Sequence, residues 1–485
     1  MHIPTGLLLL KLRGAAKPHL AWNFQTRFAR RTPVPSRPLL ALTLFILAVS
    51  SFAQALPRRS FFGIAGGPIT PEMRTERKLP ATGGILVASV VPNSSASAAK
   101  LQPGDVLLAI NGTALENGQV FGALVNQNLP GAKVKVKINR AGKEMDVDMT
   151  MVPKPSDKGE NYEVIYDHVV SKGARLRTFV SKPTHVTGKR PVLFLIQGIG
   201  QFSHDSPLSG PSSYSQIRKA FNDKGFVTLA VDKPGIGDSE GKPFNQITWD
   251  EDLDAFRQAI NSLKKYDFVD LNNVFIFGHS MGGCEGPIIA TEFPVKGIAV
   301  YGTVTRTWHE YMLENLRRQA PLAGTSHGQV DASMRGLVAA LHLIFDEGLE
   351  PAEAKTKHPK WATAIDNFSP DGKTMSGMPL TFWRGCFAEN FSTYWEKVNC
   401  HVASMFGENE FIASHPDHPL IPEIVNKKNP GKAKYILVPN SDHGFYKTTS
   451  MADSFRVWQP GQPKEFNPVI IEILTKWVDE VMAKG

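Results

Sequence analysis

At 485 residues, with 42% hydrophobic and 20% charged side chains, the chain is long enough for two or three domains and ordinary enough in composition to bury a core in each. Its net charge of +9 does not point to nucleic acid: residues 1–55 hold seven Lys/Arg and no Asp/Glu, leaving 47 against 45 in the rest, so no polyanion partner is indicated. Three cysteines, Cys284, Cys386 and Cys400, are too few for a disulfide framework and fit no zinc spacing. In an oxidising compartment Cys386 and Cys400 could pair across a short loop, with Cys284 a small buried side chain.

In chain order, the first feature is an apolar run, Leu39 to Phe52, preceded by Arg27, Arg30, Arg31 and Arg37 and followed by Ala53-Gln54-Ala55. A charged stretch, a short apolar stretch and small residues at minus three and minus one predict a secretory signal peptide over 1–55, cut after Ala55. The run is short for a membrane span, which needs about 20 residues. An uncleaved N-terminal anchor is the alternative, and the expected location is secreted or periplasmic, or else held at a membrane by that leader.

Residues 58–153 read as one small β-rich unit. Gly84 to Val91 and Val106 to Ile110 are strands, the second ending in an Asn111-Gly112 turn. Gln119 to Asn126 has the pattern of a helix, and Lys133 to Asn139 with Glu144 to Met151 form a hairpin around Arg140-Ala141-Gly142. With the run Leu101-Gln102-Pro103-Gly104-Asp105-Val106-Leu107-Leu108-Ala109-Ile110-Asn111-Gly112, this succession resembles a PDZ domain of the bacterial protease type. The resemblance implies that Phe62, Gly63 and Ile64 stand where backbone N–H groups hold a peptide's C-terminal carboxylate, the peptide adding as an extra strand. A module that packs without a ligand is the other reading. Residues 154–161, rich in polar groups, form a linker.

From 162 to 485 the pattern changes. A hairpin over Val164 to Val170 and Ala174 to Val180 is followed by alternating strands and helices, which predicts a mostly parallel, doubly wound sheet covered on both faces. The expected strands are Val192 to Ile196, Val227 to Val231, the apolar run ending at Phe277, Gly297 to Tyr301, His401 to Phe406 and Tyr435 to Val438; the last helix is Pro468 to Ala483. Val274-Phe275-Ile276-Phe277 runs straight into Gly278-His279-Ser280-Met281-Gly282. In a strand, tight turn and helix of this kind, glycines two before and two after the serine avoid a clash, and the helix start aims its N–H groups at the serine.

That GxSxG pattern, together with the glycine-rich loop Asp232 to Gly241, makes this part similar to the α/β-hydrolase superfamily. A serine hydroxyl needs a base to take its proton and an acid to orient the base. The resemblance implies the order Ser, acid, His: Ser280 as nucleophile, and His443, in Asp442-His443-Gly444 after an apolar strand, as base. Glu410 in Gly407-Glu408-Asn409-Glu410 is the acid, with Glu408 and then Glu310 as alternatives; Asp442 is read as structural. The oxyanion hole would be the N–H groups of Met281 and Ile199, the latter in Gln197-Gly198-Ile199-Gly200-Gln201, where Gln197 replaces the commoner histidine. About 100 residues between Tyr301 and His401 exceed any ordinary connection, and a helical cap at about 302–397, rich in aromatics, is expected there. Arg306, Arg317, Arg318 and Arg384 are candidates to bind a carboxylate, with a surface role as the default.

The expected activity is carboxylic ester hydrolysis through an acyl-enzyme, with no metal or organic cofactor. The alternatives are a serine peptidase helped by its PDZ-like unit, and an inactive hydrolase-fold scaffold that binds peptides.

Overall fold

The computed structural model describes residues 55–484 other than Ser206 and Ser209. The leader's apolar run, and with it the question of cleavage, lies outside these residues. Among them, no helix is long and apolar enough to cross a membrane. Two compact units are present, Ala55–Lys158 with Asp205–Gly210, and Gly159–His204 with Pro211–Gly485.

In the smaller unit, β1 (Ile64–Gly67), β2 (Ile85–Val90), β3 (Val106–Ile110), β4 (Lys133–Arg140) and β5 (Lys143–Thr150) form a sheet in that order, with Thr113–Ala114 pairing onto β3. Neighbouring strands are antiparallel. Asn111 and Gly112 both have positive φ, 49° and 80°, which a tight hairpin turn requires and Asn-Gly supplies cheaply. Helix α1 (Gly118–Gln127) begins where Asn117 Oδ1 accepts the N–H groups of Gln119 and Val120. Its Phe121 meets Phe62 edge-on at 4.9 Å, closing a core that includes Val87, Leu107, Ile110, Val136 and Ile138.

The larger unit is built on eight strands: β6 (Tyr162–Ser171), β7 (Ala174–Pro183), β8 (Arg190–Ile196), β9 (Val227–Val231), β10 (Val269–His279), β11 (Gly297–Tyr301), β12 (His401–Gly407) and β13 (Ala433–Val438). Their order is β13-β12-β11-β10-β8-β9-β7-β6, parallel except for the antiparallel edge made by β6 and β7. Alternate residues point to opposite faces and both faces are buried, so the strands read as continuous apolar runs. Val274, Ile276, Ile298 and Val300 belong to one core, Phe275, Phe277, Ala299 and Tyr301 to the other. Helices α2 (Ser213–Asp223) and α10 (Val469–Met482) cover the second face with Ile217, Phe221, Leu474 and Trp477. Helices α3 (Trp249–Asn261) and α4 (Met281–Glu292) cover the first. Doubly wound alternation therefore holds, with the elbow strand β10 central.

Between β11 and β12 the chain forms α5 (Trp308–Leu322), α6 (His327–Leu341), α7 (Leu380–Phe387), α8 (Phe391–Lys397) and shorter turns. Its aromatics Trp361, Phe382, Trp383, Phe391 and Trp395 are buried and join the core on the first face of the sheet, Phe382 and Phe391 packing against Trp249 of α3. Helix α9 (Asp417–Lys428) was not expected from the sequence, because Pro419 and Pro422 interrupt its helical pattern, yet both lie in its first half.

The three cysteines are free and buried, which corrects the pairing expected for Cys386 and Cys400. Cys386 faces the apolar interior from α7, while Cys400 immediately precedes β12, and the whole of α8 lies between them.

Candidate active site

Strand register brings the site together. Ile196 of β8 lies opposite Gly278 of β10, His279 opposite Tyr301 of β11, Tyr301 opposite Met405 of β12, and Gly407 opposite Val438 of β13. The loops that follow these strand ends carry Gly198 and Ile199, Ser280, Gly302, Glu410 and His443. A parallel sheet collects such loops at the carboxyl edge of its strands.

Ser280 joins β10 to α4 with φ 57° and ψ −122°, a conformation that side chains rarely adopt. Its N–H donates to Tyr301 O at 2.9 Å. The flanking glycines are required by contact: a Cβ on Gly278 would sit 2.4 Å from Gly282 O, and one on Gly282 would sit 2.1 Å from Ile196 O. As the first residue of α4, Met281 has no helical acceptor for its N–H. Gly198 is pressed on the serine, since a Cβ there would lie 2.8 Å from Ser280 Cβ and 3.3 Å from its Oγ. The next residue is Ile199, whose N–H has no acceptor among the described residues. Gln197 is fully buried, and neither its Oε1 nor its Nε2 has a hydrogen-bond partner among them.

His443 Nδ1 and Glu410 Oε2 are 2.7 Å apart, both side chains buried. The second Glu410 oxygen accepts the N–H groups of Ile412 at 2.7 Å and Ala413 at 3.0 Å. Burial would raise this carboxyl, but His443 and the two amides outweigh it and hold it below the ordinary range, hence ionised. An ionised acid on Nδ1 makes that nitrogen the donor and leaves Nε2 of His443 to exchange a proton. Gly302 admits this pair: at φ 60°, a Cβ would stand 2.9 Å from His443 Nδ1 and 3.0 Å from Glu410 Oε2.

The other acids lie elsewhere. Glu408 is exposed and accepts the N–H of Asn440, and Glu310 closes a capping box with Thr307 at the start of α5. Neither is placed to orient His443. Asp442 accepts the N–H groups of Gly444, Tyr446 and Trp458 and shapes the loop on which His443 sits. The four arginines are occupied by protein partners. Arg306 pairs with Glu314 and Asp417, Arg317 with Asp331, and Arg384 with Glu350. Arg318 donates to Phe411 O, Ile412 O and Ser414 Oγ, bracing the loop that carries Glu410. Gly302 and Tyr214, whose hydroxyl is 2.6 Å from His279 Nδ1, went unread in the sequence, and Arg318, read there as a candidate for a carboxylate, instead binds backbone. Only His279 lay inside a recognised motif.

In the smaller unit, Phe62 is buried, and its carbonyl accepts Ala96 N–H. Gly63 has φ 82° with its carbonyl on Val91 N–H, and Ile64 opens β1, the edge strand of its sheet. Among the described residues no group of three or more His, Cys, Asp or Glu is placed to hold a metal ion.

Sheet order, elbow and N-terminal unit define a domain of the α/β-hydrolase fold preceded by a PDZ domain. Residues 69–151 match the PDZ domain family, and residues 210–341 match the family described as serine aminopeptidase, S33. Curated relatives include a probable periplasmic serine endoprotease DegP-like of Chlamydia trachomatis serovar D, 35% identical over 101 residues, which are 21% of this chain and 20% of that protein. The magnetosome formation protease MamE of Magnetospirillum gryphiswaldense is 35% identical over 100 residues, 20% of this chain and 13% of that protein. The matches thus span a fifth or less of the length of these relatives. Among solved structures, Est1E from Butyrivibrio proteoclasticus with ferulic acid bound is similar at 16% identity, covering 65% of this chain and 98% of that one, with a TM-score of 0.41. Pyrococcus horikoshii acylaminoacyl peptidase is similar at 13% identity, covering 72% and 46%, with a TM-score of 0.40.

Proposed function

We propose that this protein is an exported serine hydrolase that cleaves carboxylic esters. Ser280 attacks the acyl carbonyl while His443 takes its proton; Glu410 stabilises the imidazolium that forms; the N–H groups of Met281 and Ile199 receive the oxyanion. His443 then protonates the leaving alcohol, and water repeats the sequence to release the acid. The observation that carries this reading is the 2.7 Å contact between His443 and a buried, ionised Glu410, at the same sheet edge as a serine on a strained elbow.

Esters are preferred because none of the four cap-region arginines is available to hold a peptide's carboxylate. The second reading, a peptidase, is favoured by the match to the family described as serine aminopeptidase and by the PDZ domain, which would present a peptide C-terminus on β1. Export is supported by the leader's sequence pattern and by a relative named as periplasmic.

The test is a panel of p-nitrophenyl acyl esters beside aminoacyl and peptidyl p-nitroanilides, on the full chain and on Ser280→Ala. Ester turnover that disappears with Ser280→Ala, with anilides at least 100-fold slower, supports the first reading. Comparable or faster anilide turnover moves the assignment to the peptidase, and turnover of neither leaves the scaffold.

A further inference from the structure

Tyr214, at the start of α2, and His279, just before the serine, connect three loops of the site. Gly198 N–H donates to Tyr214 Oη at 3.3 Å, Tyr214 Oη lies 2.6 Å from His279 Nδ1, and His279 Nε2 lies 2.8 Å from the carbonyl oxygen of His443. The position of every hydrogen follows. A carbonyl can only accept, so His279 Nε2 carries the proton. Burial, with the neighbouring His443, pushes the His279 pKa well below its ordinary value and keeps the ring neutral, so Nδ1 is a bare acceptor. Tyr214 must therefore give its one hydrogen to Nδ1, and its lone pair is left for Gly198 N–H.

The two side chains are held by rings on several sides. Phe202 stacks on Tyr214 at 5.4 Å with 20° between planes, and His204 meets it edge-on at 5.5 Å. Phe445 lies 4.5 Å from the His279 ring centre. The chain of bonds thus begins on the peptide pressed against Ser280 and ends on the backbone of His443.

We propose that Tyr214 and His279 are positioning residues: they fix the peptide between Gln197 and Gly198, and with it the Ile199 amide, relative to the nucleophile and the base. This rests on the reading of Ser280 and His443 as nucleophile and base. It adds that the oxyanion hole is built from outside, by a tyrosine that touches no reacting atom. Because one Gly198 donor is committed to Tyr214, the following amide is left for the oxyanion. An oxyanion donor works only where its hydrogen meets the developing charge, and an error of about 1 Å costs on the order of 100-fold.

The experiment compares wild type, Tyr214→Phe, His279→Gln and His279→Leu, each normalised to sites titrated by a fluorophosphonate. Readouts are kcat, KM, and Ki for an aryl boronic acid, which forms a tetrahedral adduct on the serine. The relay predicts that Tyr214→Phe lowers kcat roughly 10- to 100-fold with KM within about threefold, and weakens the boronate by the same factor. A merely structural tyrosine would lower the titrated fraction and leave kcat per site unchanged. His279→Gln, whose amide offers a donor and an acceptor, is expected to keep at least tenfold more activity than His279→Leu; this pair decides the matter if Tyr214→Phe does not fold. Ser280-dependent turnover in the wild type, with Tyr214→Phe unchanged per site or with Gln and Leu equal at 279, overturns the relay alone. Turnover that persists in Ser280→Ala overturns the parent reading and the relay together.

Discussion

The two candidate sites of this chain use different chemistry. In the hydrolase domain the proposed nucleophile, base and acid are side chains, delivered from loops after three strands of one sheet and braced by other side chains: Glu410 on His443, Asp442 under the His443 loop, Arg318 behind the Glu410 loop. In the PDZ domain, Phe62 turns its ring into the core and Ile64 opens the edge strand, so a peptide held there, as proposed, would meet backbone rather than side chains. The first site therefore depends on residue identity and the second on backbone conformation. Substitutions that preserve one property and destroy the other should separate them.

The largest effect belongs to the nucleophile. Ser280→Ala is expected to lower ester turnover by about 10³-fold or more, without loss of peptide binding at the PDZ domain; paired loss would break the division, and kinetics beside peptide titration measures it. Next comes Glu410→Gln, which keeps the shape but removes the charge from His443, with an expected loss of about 10²- to 10⁴-fold. It also has a pH signature. A carboxyl whose folded pKa is lowered contributes stability above its unfolded pKa, about 4.3, and loses it as pH falls through the folded value. Wild type should accordingly lose stability on acidification more steeply than Glu410→Gln, as read by denaturant melts between pH 6 and 3.

Gly63→Ala tests the other half of the comparison. Its Cβ would fall 2.0 Å from Ser94 Cβ at φ 82°, so the loop must move. Binding of a fluorescent peptide with a free C-terminus is expected to weaken about tenfold while small-ester kcat/KM stays within twofold. The smallest effect concerns Glu285 on α4, five residues past the serine. It is fully buried, neither oxygen has a hydrogen-bond partner among the described residues, and burial, then Asp252, push its pKa well above the ordinary range. A raised folded pKa gives stability that is present in acid and lost as pH rises from about 4.3 through the folded value. Glu285→Gln should thus gain in Tm over wild type at pH 8 more than at pH 5, with kcat little changed.

Much of this architecture was legible because its signals are local. Val274 to Phe277 followed by Gly278-His279-Ser280-Met281-Gly282 announces strand, elbow and helix in one stretch, and alternation of strands with helices after the opening hairpin leaves few alternatives to a doubly wound sheet. His443 and Glu410 could be named only through the resemblance, which looks for base and acid after the last strands, and the structure sets them 2.7 Å apart. What went unread is contact at long range. Tyr214 lies 65 residues from His279, and Arg318 lies 93 from the Phe411 carbonyl it binds. Nothing adjacent to either residue distinguishes it from an ordinary helix side chain. Gly302 looks like any loop glycine until His443 and Glu410 arrive beside it. Cys386 and Cys400, close in sequence, were read as able to pair in an oxidising compartment, yet both are free, one on α7 and the other leading into β12.

The most direct test of the central claim is intact-mass analysis of the purified protein after treatment with a fluorophosphonate, alongside Ser280→Ala and His443→Ala. A serine activated by this site gives one adduct on the wild type, none on Ser280→Ala, and labelling slowed at least 100-fold on His443→Ala. An unlabelled, folded wild type, or an adduct that survives Ser280→Ala, would contradict it.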